Sequence, residues 1–185
     1  DWVRGRAALN VKLSKEKFQR HPYEPCYLYE SGIRPLEQYP VRGVIWYQGE
    51  SNAHNCEAHE KLFKLLVGSW RKNWKNEDLP FYYVQLSSIA RPSWPWFRDS
   101  QRRMMAEIPN TGMAVSSDYG DSLDVHPRNK KPVGERLGRW ALNKTYGMHD
   151  VLPSGPLFCR ADFCEDVVYV TFDYGKGLKS SDGGP

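Results

Sequence analysis

Apolar residues fall along this chain in short runs and helical stripes that alternate. Residues 41–47, Val-Arg-Gly-Val-Ile-Trp-Tyr, form a brief apolar run that stops at Gln48-Gly49-Glu50-Ser51-Asn52. Short continuous runs of this kind suit parallel strands buried on both faces. Over 56–74, Leu62, Phe63, Leu66, Val67 and Trp70 recur at spacings of three and four, which predicts a helix with one apolar face, weakened modestly by Gly68. The same reading predicts a strand over 80–86, a helix over 97–108, a strand over 112–116 and a helix over 131–146, with Gly147 at its C-cap. The first forty residues are irregular and punctuated by proline, with a short amphipathic element at 27–36. Strands alternating with helices predict an α/β domain around a parallel sheet. After Pro153 the texture changes, and 166–172 reads as a strand followed by glycine-rich sequence. The expected organisation is an α/β unit over 1–150 and the start of a β-rich accessory region over 151–185.

Composition narrows the function. The 185 residues are 40% hydrophobic and 26% charged, which excludes disordered, collagen-like and coiled-coil chains. Lys plus Arg is 26 and Asp plus Glu is 22, so the net charge is +4, too mild for a nucleic-acid binder. No apolar run is long enough to span a membrane. The N-terminus has neither Met nor a signal-like apolar stretch, which reads as a processed form or a fragment. Cys26, Cys56, Cys159 and Cys164 contain no Cys-x-x-Cys pair, so a zinc site is not expected; one or two disulfides and four thiols both fit. The abundant Trp and Tyr suit sugar stacking as well as core filling.

In parallel sheets, ligands bind at the carboxyl ends of the strands. Two polar loops fall there: 48–52, and 118–126, which reads Asp-Tyr-Gly-Asp-Ser-Leu-Asp-Val-His. His126 is the candidate general base, and Asp124, Asp121 and Asp118 precede it as candidate partners. A base of this kind needs an acid that fixes its tautomer and stabilises the imidazolium. The bland alternative is a solvated surface loop. A metal site from Asp118, Asp121, Asp124 and His126 has a spacing that matches no familiar ligand pattern. His21, His54, His59 and His149 read as exposed residues. Gly49-Glu50-Ser51-Asn52-Ala53 has the form of a nucleophile elbow, and Ser51, Asp124 and His126 follow the α/β-hydrolase chain order. Against it, acid and base would share one loop, where that fold uses two.

The run 43–53, Gly-Val-Ile-Trp-Tyr-Gln-Gly-Glu-Ser-Asn-Ala, is similar to the signature of sialate O-acetylesterases, in the carbohydrate-esterase branch of the SGNH hydrolases. Leu28-Tyr29, Ile33-Arg34-Pro35-Leu36, Trp70-Arg71, Leu79-Pro80-Phe81, Val84-Gln85-Leu86, Arg98-Asp99-Ser100-Gln101 and Asp124-Val125-His126-Pro127 resemble the same family, as do Lys131, Val133-Gly134 and Arg136-Leu137. The resemblance runs collinearly over roughly 23–175. It implies a flavodoxin-like three-layer α/β/α domain with a parallel sheet, removing O-acetyl groups from sialic acid or related glycans. It implies a Ser nucleophile, His126 as base and an orienting Asp. These enzymes commonly place that Asp three residues before the His; here Leu123 stands there and Asp124 is nearest, with Asp118 in reserve. The family's Gly-Gln-Ser-Asn-like nucleophile motif does not occur in this sequence. The expectation is therefore the C-terminal portion of the catalytic domain, with the Ser outside these residues. Ser51 then has a structural place. Gln48 and the Gly49 N–H are the expected oxyanion donors, and Glu50 holds a neighbouring loop or contacts substrate. The implied partners are an O-acetylated carbohydrate and the rest of the catalytic domain. No metal or organic cofactor is implied, and the implied setting is a secreted, periplasmic or lysosomal-type compartment. Two rival readings are an α/β-hydrolase using Ser51, and a non-catalytic carbohydrate-binding fragment using Trp46, Trp94 or Trp96.

Overall fold

The structure, a computed structural model, describes residues 24–180 and 182–183. His21 lies outside them. Three strands, β1 (Val44–Trp46), β2 (Phe81–Val84) and β3 (Thr111–Ala114), pair in that order and all run parallel. Helix α1 (Cys56–Asn73) joins β1 to β2, α2 (Trp94–Glu107) joins β2 to β3, and α3 (Lys131–Trp140) follows β3. The Asn55 side chain accepts the Ala58 N–H at 3.0 Å and so caps α1. Helix α2 begins three residues earlier than its apolar pattern predicts. Pro95 sits in its first turn, where a missing N–H costs nothing. The helix predicted over 131–146 is α-helical only to Trp140, then widens into a π-helical turn over Ala141–Thr145, with Gly147 beyond it at φ +70°. The element expected at 27–36 is a π-helical turn followed by a 3-10 turn.

The sheet separates two apolar layers. Val44, Phe81, Tyr83 and Met113 face Phe63 and Val67 of α1 and Met104 of α2. Tyr82, Val84 and Ala114 face Val133, Leu137 and Trp140 of α3. Alternate residues of β2 and β3 thus enter opposite layers, which is why these strands read as unbroken apolar runs; of β1, Val44 enters the first layer and Trp46 packs against it. Trp140 lies so close over Gly112 that a Cβ there would fall 2.4 Å from its ring.

The two sheet edges differ. Phe81 N–H donates to Asn110 O at 3.0 Å and Gln85 N–H to Ala114 O at 2.9 Å, so the Met113 and Val115 carbonyls point away from β2. Both are met by α3: Trp140 Nε1 donates to Met113 O at 3.0 Å and Arg136 Nη1 to Val115 O at 2.7 Å. Arg136 is itself held by a two-pronged pair with Asp118, each contact 2.6 Å. At the other edge, Val44 N–H donates inward to Pro80 O at 2.8 Å. The Ile45 peptide therefore faces outward, and its side chain is 68% exposed. Edges left in this state invite a further strand.

Strands β4 (Leu157–Cys164) and β5 (Val167–Asp173) form a separate antiparallel pair. Sequence patterning anticipates β5 but not β4, whose apolar run is broken by Arg160 and Asp162. Those two residues lie on one face of the strand and pair at 3.0 Å. Phe163, Val168, Tyr169 and Val170 remain exposed, so the hairpin presents uncovered apolar surface.

Two outcomes test this account. Trp140→Ala should lower unfolding free energy by about 3–5 kcal/mol in chemical denaturation, the usual cost of deleting a buried indole. Hydrogen bonds from Arg136 hold the Asp118 carboxyl below the ordinary carboxylate range, against the opposing effect of burial. The pair's stabilisation is therefore full above the unfolded-state pKa of about 3.9 and is lost as pH falls through the lower folded value. In denaturation series at several pH values, the gap between wild type and Asp118→Asn should hold steady above about pH 5 and close below it.

Candidate active site

The site begins where β1 ends. The last register pair is Trp46 with Tyr83, so β2 continues past its neighbour. The peptide groups left over are met by a side chain: Gln101 Oε1 accepts the Leu86 N–H at 2.9 Å, and Gln101 Nε2 donates to Val84 O at 3.2 Å. Gln101 is buried, and its own carbonyl accepts the Tyr83 hydroxyl at 2.6 Å. The chain leaving β1 turns at once. Gly49 has φ +145° and ψ −10°, a conformation side-chain-bearing residues rarely adopt. A Cβ there would also stand 3.1 Å from the Phe97 ring. The 3-10 turn Glu50–Asn52 follows, closed by Asn52 N–H to Gly49 O at 2.8 Å. Gly49 is buried, Gln48 and Glu50 are half-buried, and Ser51 is exposed.

The second loop leaves β3 through the turn Ser117–Tyr119. Ser88 Oγ donates to Ser117 O at 2.7 Å, and Ala90 N–H to Ser122 O at 3.0 Å, which ties this loop to the one after β2. Asp124 Oδ1 accepts the His126 backbone N–H at 2.9 Å and lies 3.2 Å from His126 Nδ1. The backbone N–H, then the ring, holds the Asp124 carboxyl below its usual range. Engaging Nδ1 leaves Nε2 as the nitrogen open to proton exchange. The pair is open to solvent, His126 at 82% and Asp124 at 50% of side-chain surface. Tyr47 and Val125 both pack on the buried cluster of Ala53, Leu86, Trp94 and Phe97. The 48–52 turn and the His126 loop therefore rest on one apolar base at the carboxyl end of the sheet.

The candidate residues separate on this geometry. Asp124 is placed on His126, whereas Asp118 is committed to Arg136. That split also removes the convergence a metal site from Asp118, Asp121, Asp124 and His126 requires. Among the described residues no three His, Cys, Asp or Glu side chains are grouped to hold a metal. Ser51 lies in a 3-10 turn and has no positive φ, unlike the strained serine of a nucleophile elbow. Of the tryptophans offered for sugar stacking, Trp94 is buried, Trp46 packs edge-on against Trp70, and Trp96 is 73% exposed. His54 and His149 are exposed as expected, but His59 is not: it is 4% exposed, between Phe63 and Phe97. Its place on the apolar face of α1, four residues before Phe63, was the signal. Gln101 and Asn52 gave no such signal, because their partners are peptide groups and a ring distant or unpatterned in sequence.

The chain is similar to known carbohydrate esterases. The profile of the family described as "Carbohydrate esterase, sialic acid-specific acetylesterase" matches residues 13–143. The chain is 32% identical over 158 residues to the sialate O-acetylesterase of Mus musculus, covering 74% of this chain and 29% of that protein. The corresponding protein of Homo sapiens is also 32% identical over 158 residues, covering 74% and 30%. The crystal structure of a carbohydrate acetylesterase from Xanthomonas citri superposes with a TM-score of 0.73 at 37% identity, covering 82% of this chain and 37% of that one. The chain thus spans 29–30% of the length of the two acetylesterases and 37% of the Xanthomonas citri chain. Its parallel three-stranded sheet between helical layers is consistent with the SGNH-like fold. With the family profile covering most of its length, the chain belongs to the sialic acid-specific acetylesterase family of carbohydrate esterases.

Proposed function

We propose that these residues form the base-bearing portion of a carbohydrate O-acetylesterase acting by a Ser-His-Asp mechanism. The observation that carries this reading is the Asp124–His126 pair, set at the carboxyl end of a parallel sheet on the same apolar base as the buried Gly49 turn. In the reaction, His126 Nε2 takes the proton of the serine hydroxyl as the oxygen attacks the acetyl carbonyl. Asp124 holds Nδ1 and stabilises the imidazolium. Gln48 and the Gly49 N–H donate to the tetrahedral oxyanion; such donors contribute on the order of 3 kcal/mol each. Glu50 orients the neighbouring loop or the sugar. His126 returns the proton to the departing sugar hydroxyl, and water then releases acetate from the acyl-enzyme.

The serine comes from a further part of the catalytic domain, which pairs with β1. Three features support that partner: the outward Ile45 peptide and side chain, and the Trp46 Nε1 and Arg98 Nε atoms, buried without an acceptor among the described residues. Residues 151–185 begin a β-rich accessory region, a reading supported by the uncovered apolar faces of β4 and β5. Among the described residues no helix is long and apolar enough to cross a membrane. The proposed setting is a compartment where glycans are exposed, and the acetylated sugar is a sialic acid or a related glycan.

In the protein carrying the serine, His126→Ala should cut hydrolysis of a small acetyl ester by at least the roughly 10²–10⁴-fold credited to general base catalysis. A loss below tenfold would rule out His126 as the base. Asp124→Asn should lower turnover more than Asp118→Asn, and the reverse order would reassign the acid. Ser51→Ala should keep most activity, and a fluorophosphonate probe should leave Ser51 of the 185-residue chain unlabelled.

A further inference from the structure

Beneath the 48–52 turn lies a buried imidazole that the proposed reaction does not use. His59 sits in the first turns of α1, its ring centroid 4.6 Å from Phe97 and 5.9 Å from Phe63. The Asn52 carboxamide Nδ2 approaches His59 Nδ1 at 3.2 Å. The backbone joins the same two residues: Asn55 N–H donates to Asn52 O at 2.9 Å, and His59 N–H to Asn55 O at 3.1 Å. Phe97, which touches His59 on one side, also bounds the space above Gly49. The turn and the first residues of α1 are thus one hydrogen-bonded unit around a single aromatic ring.

We propose that His59 is a positioning residue for the 48–52 turn, holding Asn52 through a neutral imidazole whose Nδ1 accepts from the Asn52 carboxamide. The chemistry requires the neutral form, because an imidazolium would turn a second donor toward the amide. The surroundings favour it. Burial pushes the His59 pKa below its usual value, and the Glu60 charge, which opposes this, is engaged by Ser100 Oγ at 2.5 Å and by Arg103 at 3.4 Å. An Asn52 held from below fixes the Gly49 carbonyl through its own N–H, and with it the plane of the Gly49–Glu50 peptide, the one next to that bearing the Gly49 N–H. That control matters for acyl transfer because donors must meet the oxyanion within a few tenths of an ångström. The inference rests on the reading of this turn as part of the reaction site.

The test separates the two. In the ¹⁵N-histidine-labelled 185-residue chain at pH 7, His59 should show an unprotonated Nδ1 and a protonated Nε2; a proton on Nδ1 overturns the proposal. His59→Phe keeps an aromatic ring but loses the acceptor, whereas His59→Gln retains one. Exchange of the Asn52 and Asn55 amides should accelerate by at least about tenfold in the Phe variant and stay within about threefold in the Gln variant. Should His59→Phe fail to fold, Asn52→Ala removes the donor from the other side and should loosen the Asn55 amide equally. Unchanged exchange in these variants sinks the proposal. In the serine-bearing enzyme, His59→Phe should lower kcat by roughly ten- to a hundredfold with KM little altered, the scale of a small misplacement of catalytic groups, and His59→Gln should restore most of it. The expected tautomer and exchange with an unaltered kcat would instead overturn the placing of the turn in the reaction site.

Discussion

Strand β1 stops one step before β2 does, and the candidate site is built around that mismatch. Past Trp46, β2 still presents the Val84 carbonyl and the Leu86 N–H toward the side where β1 would have been. Buried peptide groups need partners, since an unmet one costs about as much as a lost hydrogen bond. The Gln101 carboxamide supplies both an acceptor and a donor, in effect a peptide group delivered from α2. With that position filled by a side chain, the backbone leaving β1 is free to turn away. It does so at Gly49, the residue able to take φ +145° in the space left by Phe97. Helix α2 therefore provides both the substitute for β1 and the surface that shapes the turn.

The loop after β3 is fixed by a different mixture. Its start is pinned by Asp118 and Arg136, which also covers an edge carbonyl, and its middle is tied to the loop after β2. Its far end is held by the short-range hydrogen bonds of Asp121 with the Leu123 N–H and of Asp124 with His126, and by Val125 packed on the cluster of Ala53, Leu86, Trp94 and Phe97. The acid nearest the helix is thus tied to Arg136, while the acid nearest the histidine contacts the histidine's backbone N–H and ring. Two aspartates of one loop are divided by what lies within reach of each.

Much of this was legible in the sequence, for identifiable reasons. The three parallel strands leave short continuous apolar runs, and the one buried face of α1 leaves a helical stripe. The loops at strand ends followed from the topology. Asp124 as the partner of His126 followed from proximity alone, a separation of two residues. Less was visible where a contact is not periodic. The early start of α2 depends on Pro95 occupying a first turn, the π-helical turn after Trp140 on backbone geometry, and β4 on two opposite charges pairing along one face. His59 was read as exposed because histidine at a helix start usually is. Its place four residues before Phe63 on the apolar face of α1 was the local sign of burial, and Phe97, thirty-eight residues away, completes the enclosure.

The contrast between the two sheet edges bears on how such a site works. At β3 the outward carbonyls are sealed by Trp140 and Arg136, so the sheet ends there. At β1 the outward peptide of Ile45 and its side chain face open surface. The Asp124–His126 pair shares that openness, and in water the attraction between an imidazolium and a carboxylate is weak because the dielectric is high. On the proposed reading, the part of the domain that pairs with β1 does two things at once. It brings the serine hydroxyl to His126, and it excludes water from the crevice between the 48–52 turn and the His126 loop. Exclusion of water strengthens the Asp124–His126 interaction and the oxyanion contacts together. Completion of the sheet and activation of the base are then one event, because the same open edge governs both.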